Sequence, residues 1–113
     1  MSKESYQLGE LEELVLMIVA ILKEEAYGVR VMDEIQDQVQ RKVNISAVHT
    51  TLDRLEKKGF VSSYMGGASA ERGGRRKRIF QVTAEGSNAI TFVHTTRNAL
   101  FNQISKAVLG GAS

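Results

Sequence analysis

SAVHTTLDRLEKKGFVSSYMGGASAERGGRRKRIFQV, residues 46–82, holds a helix and a hairpin in direct succession. Between Ala47 and Lys58, Val48, Leu52 and Leu55 fall on one side of a helix of about twelve residues. Ser46 is placed to cap its start, and Gly59 supplies the left-handed residue that ends it. Two runs of strand formers follow, Phe60–Met65 and Lys77–Val82, around an eleven-residue stretch bounded by Gly66, Gly67, Gly73 and Gly74. The spacing predicts an antiparallel hairpin with a long tip.

Toward the N-terminus, Leu11, Leu14, Val15, Met17, Ile18, Ile21 and Leu22 cover most of a helical surface, so Glu10–Lys23 is expected to be a buried helix at the centre of the core. Val29, Met32, Ile35 and Val39 recur at helical spacing against Asp33, Glu34, Asp37 and Gln38, which makes a second, amphipathic helix. Glu24–Gly28 is a connection short enough for the two to be packed neighbours. Val43, Asn44 and Ile45 are expected to form a very short strand. Beyond the hairpin, Thr83 caps a fourth helix with Glu85 in its first turn. Ile90, Val93, Leu100, Phe101, Ile104 and Val108 form its apolar stripe, and Gly110 and Gly111 end it. The fold class is therefore mainly α with a small β-hairpin: a winged helix-turn-helix over residues 1–82, and a C-terminal helix over 83–113 packed on it.

A chain of 113 residues with 42% hydrophobic and 25% charged residues has room for one folded domain and no need of staples. It has no Cys and no Pro. Disulfides and thiolate metal sites are thereby excluded, which fits a reducing cytoplasm. The longest apolar run, Leu14–Leu22, is about half the length of a membrane span. Acids rather than bases precede it, so neither export nor membrane residence is expected. Charge is unevenly placed: residues 1–40 hold three Lys/Arg against nine Asp/Glu, and residues 41–82 hold ten against three. A basic segment so confined is what a polyanion partner requires.

On the third helix, the side opposite Val48, Leu52 and Leu55 presents Ser46, Thr50, Asp53, Arg54 and Lys57, flanked by Ala47, His49, Thr51 and Lys58. Such a face is small at its start and basic at its end. Small residues admit a helix to the major groove, hydroxyls and imidazole reach base edges, and the basic end meets phosphate. Asp53 is expected to pair with Lys57 one turn on. In the hairpin tip, Arg72, Arg75, Arg76, Lys77 and Arg78 place five cations in seven positions with no acid among them, a repulsive run that an anion relieves. The glycines there do not match the phosphate loop GxxxxGK[ST], and no helix follows them. His49 and Asp53 are one helical turn apart rather than part of a hydrolase triad. The two His residues have no metal-ligand spacing. No enzyme, metal or cofactor is expected.

Three stretches, LGELEELVLMIVAIL with EEAYGV soon after it, AVHTTLDRLEKKGFVSSYMG, and ERGGRRKRIFQVTAEG, resemble the PadR family of bacterial transcriptional regulators, over Leu8–Gly86. The resemblance implies a homodimeric winged-helix repressor of double-stranded DNA, often relieved by a small ligand. It places Ala47, His49, Thr50, Thr51 and Arg54 on the recognition helix and Arg75, Arg76 and Lys77 on the wing. His49 stands where relatives commonly carry Tyr. The chain ends soon after the fourth helix, like the short subclass, so dimerisation is expected to fall on the fourth and first helices: Leu11, Val93, Arg97, Leu100, Ile104 and Val108. Arg97 would pair with an acid on the first helix of the other subunit. Phe92 lies off the stripe and either lines a ligand pocket between subunits or packs on the wing. Some relatives take aromatic drugs between Trp residues, which this chain lacks. The expected partners are thus an inverted-repeat duplex, a second copy and a small aromatic ligand. The alternative is a winged helix that docks on a protein or RNA without reading DNA sequence.

Overall fold

The computed structural model describes residues 6–66 and 76–110. Acids at the start of the apolar run favour a helix N-terminus, and the first helix, α1, spans Glu10–Leu22. Glu12 reaches back one turn and accepts the Gly9 N–H at 2.8 Å. Val15, Leu16 and Val19 are 0–1% exposed. Around them pack α2 (Gly28–Val39), α3 (Ile45–Lys57), β2 (Lys77–Val82) and α4 (Ala84–Phe101), so the first helix is the centre of the core. A single 3-10 turn, Lys23–Glu25, follows α1. After it, buried Ala26 accepts the Phe80 N–H at 2.9 Å, which ties the α1–α2 connection to the wing.

The start of α3 differs from the sequence expectation. Val43–Ile45 forms no strand. The N-cap is Asn44, whose side-chain oxygen accepts the Ala47 N–H at 2.7 Å, and not Ser46. Asn is as good a cap as Ser, and capping from position 44 draws Ile45 into the helix, where it packs against the core. At the other end, Gly59 has φ 83°, its N–H goes to Glu56 O and the Phe60 N–H to Leu55 O. This pair of bonds closes the helix and turns the chain directly into β1 (Val61–Gly66). β1 and β2 are antiparallel, Val61 opposite Val82 and Met65 opposite Arg78. The three helices and this hairpin make a winged helix-turn-helix. The hairpin tip that carries Arg72 and Arg75 lies outside the described residues.

Thr83 caps α4 as expected, accepting the Gly86 N–H at 3.0 Å, and its hydroxyl donates to Gly59 O at 2.6 Å. One side chain thus fixes the start of α4 against the end of α3. The helix ends at Phe101, earlier than its apolar pattern suggests. After Asn102 the backbone bonds tighten to Gln103 N–Leu100 O and Ile104 N–Phe101 O, and the Ser105 hydroxyl accepts the Val108 N–H at 3.3 Å. Asn and Ser compete for backbone groups in this way and interrupt helices. Ile104 and Val108 therefore lie in turns, not on a helical stripe, and Gly110 (φ 86°) ends the last described turn. Gly111 is outside the described residues. The C-terminal part of α4 and the turns after it, residues 94–110, are exposed throughout, and the Cα radius of gyration is 16.6 Å where about 13 Å is usual for this size.

Gly86 sits where α4 crosses the end of α3: a Cβ there would collide with the Phe60 carbonyl oxygen and stand 2.8 Å from Val82 Cγ1. Gly86→Ala is expected to destabilise the fold by about 1–3 kcal/mol, the scale of an overpacked core. Urea unfolding measures it, and an unchanged midpoint would show that the α3–α4 junction yields.

Candidate nucleic-acid interface

The core stripe of α3 leaves Ser46, His49, Thr50, Asp53, Arg54 and Lys57 exposed, with Ala47 half-buried beside them. Thr51 does not join that face. It is 5% exposed, and its hydroxyl donates to the Ala47 carbonyl at 2.7 Å. Three residues after Val48 and four before Leu55, position 51 lies on the buried stripe, and the carbonyl one turn back satisfies its hydroxyl.

His49 lies against Gly28 at the first turn of α2, where a Cβ would come within 2.6 Å of its Cε1. Together with Tyr27, Val29, Lys77, Arg78 and Phe80 they line an open groove of about 510 Å³ between α2, α3 and the wing. None of Tyr27, Gly28 and Val29 was read from the sequence as a binding residue; Val29, expected on the apolar stripe of α2, is half-exposed here. The available signal was a glycine in the first turn of an amphipathic helix, a position that invites a close neighbour.

The basic residues of the wing are not equivalent. Arg76 is exposed just before β2. Lys77 Nζ stands 4.0 Å over the Tyr27 ring, a cation–π contact. Arg78 is engaged by α3: its guanidinium bonds the Glu56 carboxylate and lies 3.8 Å from Asp53. Asp53 thus faces the wing, and no Asp53–Lys57 pair forms. At the end of α3, Lys58 Nζ donates to the Glu12 carboxylate at 2.8 Å and to the Gln7 carbonyl at 3.3 Å. Arg54 and Lys57 make no ion pair among the described residues. No group of three or more His, Asp or Glu residues that could hold a metal occurs among them either, and no helix is long and apolar enough to cross a membrane.

On the opposite side, Arg97 pairs at 2.7 Å with Glu13 of its own chain. The Phe92 ring is 5.4 Å from that of Tyr6, away from the wing. Both line a groove of about 680 Å³ with Leu8, Glu13, Val93 and Leu100. Leu11 and Val93 are partly buried in their own subunit, whereas Leu100, Phe101, Ile104 and Val108 are 41–75% exposed.

Residues 15–91 match the model of the transcriptional regulator PadR-like family. Among solved structures, the chain is similar to a PadR-like transcription factor from Bacteroides fragilis: TM-score 0.69, 16% identity, 81% of this chain and 84% of that one. It is similar also to smu.1704 from Streptococcus mutans UA159, with TM-score 0.68, 25% identity and 88% and 87% of the two chains covered. A third similar structure is a PadR family transcription regulator from Clostridium difficile R20291, with TM-score 0.68, 22% identity, 90% of this chain and 100% of that one. No curated protein matches the sequence significantly.

The Lys58–Glu12 pair anchors the basic end of α3 to α1, and it gives a pH signature. Burial pushes the Glu12 carboxyl up, but the Lys58 ammonium and the Gly9 N–H outweigh this and hold it below its ordinary value of 4.5. A carboxylate so lowered stabilises the fold above its unfolded value, and the contribution is lost as pH falls through the lower folded value. The stability gap between wild type and Glu12→Gln is therefore expected to be constant near neutrality and to narrow below about pH 4.5. Urea titrations from about pH 7 down to about pH 3 read it, and a gap that stays level throughout would remove the pair from the account.

Proposed function

We propose that this chain, which belongs to the PadR-like family of transcriptional regulators, is a homodimeric repressor that acts in the cytoplasm on an inverted-repeat operator and is released by a small aromatic ligand. Its class is that of a DNA-binding transcriptional regulator, not an enzyme. The observation that carries the finer reading is the exposed face of α3. Small residues stand at its start and Arg54 and Lys57, without an ion pair among the described residues, at its end, with the base of the wing packed beside it. On this reading Ser46, Ala47, His49 and Thr50 meet base edges, and Arg54, Lys57 and Arg76 meet phosphate. Arg72 and Arg75, outside the described residues, add to the wing by charge alone. Residues 1–82 bind DNA, and residues 83–113 join two copies.

Support for the dimer comes from the projecting end of α4. Leu100 and Phe101 are more than half exposed there, and Met17 and Ile21 of α1 are also exposed. Large apolar side chains left in water on two elements favour association. The groove of Tyr6, Phe92, Val93 and Leu100 supports the ligand: aromatic rings line it, and the Glu13–Arg97 pair offers charge at its edge.

Selection from a random duplex pool at near-physiological salt is expected to enrich a palindrome with half-sites about 34–36 Å apart, or a multiple of that spacing. Thr50→Ala should change the preferred bases. Arg76→Ala should leave the preference alone and lower the salt slope of binding by about 0.9, one phosphate contact. A pool that returns no motif, or a protein that elutes as a single chain at micromolar concentration, overturns the reading.

A further inference from the structure

Arg78 is one of the five wing cations that charge alone assigns to DNA, yet its surroundings give it other work. Its Nε donates to Ser63 Oγ at 3.0 Å, the Ser63 hydroxyl donates to Glu56 Oε2 at 2.8 Å, and the guanidinium bonds Glu56 Oε1. These three side chains close a ring in which each donor has an acceptor. Glu56 belongs to α3, Ser63 to β1 and Arg78 to β2. The register puts Met65 opposite Arg78 and Phe80 opposite Ser63, so Arg78 and Ser63 are diagonal neighbours on one face of the hairpin. Phe80, buried on the same face, lies under the guanidinium at 5.1 Å, and Asp53 Oδ1 lies 3.8 Å from its Nη1.

We propose that Arg78 is a positioning residue rather than a phosphate contact, and that the Glu56–Ser63–Arg78 ring sets the angle between the wing and the recognition helix on which operator specificity depends. The inference rests on the reading of α3 and the hairpin as the DNA-binding surface. A planar guanidinium with a fork of fixed donors suits this task, because it holds two partners in defined directions, which a Lys ammonium does not. A carboxylate already opposite Arg78 also removes most of what a phosphate would gain from it. Charge counting and positioning then predict opposite signs. An acid beside a DNA-binding face repels phosphate, so by charge alone removal of Glu56 tightens binding to every duplex. By positioning, its removal frees the wing and weakens binding to the operator.

The test uses the full chain and four variants, Glu56→Ala, Ser63→Ala, Arg78→Ala and Arg76→Ala, each checked for a cooperative thermal transition. On a duplex of arbitrary sequence, Arg78→Ala is expected to keep the wild-type salt slope, whereas Arg76→Ala loses about 0.9. On the selected operator, Glu56→Ala and Ser63→Ala are expected to lower the ratio of specific to non-specific affinity about tenfold, the scale of a coupled hydrogen-bonded network. The non-specific affinity of Glu56→Ala should hold or rise. Ser63→Ala changes no charge and reports on the ring even if Glu56→Ala folds poorly. A slope that drops by about 0.9 in Arg78→Ala overturns the proposal. So does a Glu56→Ala protein that binds operator and arbitrary duplex more tightly by the same factor. Because the slope is read on arbitrary DNA, it decides Arg78's role even where selection yields no operator and the repressor reading fails.

Discussion

Burial of Val15, Leu16 and Val19 on α1 sets where every other element goes. These side chains touch no water and are worth about 1.5–3 kcal/mol each relative to exposure. They gain that only if α2, α3, β2 and α4 close around them. The helix has acids in its first turn and no polar residue after Glu13, so it cannot be moved to the surface without exposing the core. The exposed face of α3 is a by-product of this requirement. Once Val48, Thr51, Leu52 and Leu55 of α3 are committed to the inside, Ser46, His49, Thr50, Arg54 and Lys57 have nowhere to face but solvent.

Holding that face in position calls for polar contacts, because apolar packing is tolerant of small rotations. The two ends of α3 are held differently. Asn44 caps the start, and Lys58 at the far end is drawn to Glu12 and the Gln7 carbonyl. The wing is held by the Phe80–Ala26 backbone bond, by Lys77 on Tyr27 and by Arg78 on Glu56. Asp53 and Glu56 of α3 therefore serve the architecture by engaging the wing. A basic count of the segment overstates the charge left free.

The fourth helix follows a different logic. Its first half is pinned through Thr83 and the close approach at Gly86, and its second half leaves the body of the domain with Leu100 and Phe101 in water. Large apolar side chains are thereby left in water at one end of an elongated molecule. The aromatic pair Tyr6–Phe92 lies at the root of this projection.

The sequence by itself determined the four helices, the hairpin, the cap at Thr83, the stop at Gly59 and the exposed face of α3, because each follows from a local repeat of 3.6 or 2 residues or from a single residue's backbone preference. Thr51, expected beside the exposed face, is buried instead, and its spacing to Val48 and Leu55 was a signal that the face reading passed over. The cap at Asn44 was not legible, since two good caps stood two residues apart and local preference does not choose between them. Only the tertiary structure decided which cations remain for a partner. Arg78 meets Glu56, Lys58 meets Glu12 and Arg97 meets Glu13 across 22, 46 and 84 residues of chain. Pairing of charges depends on distances of a few ångströms between elements that the chain order leaves far apart, and those distances exist only once the core has closed.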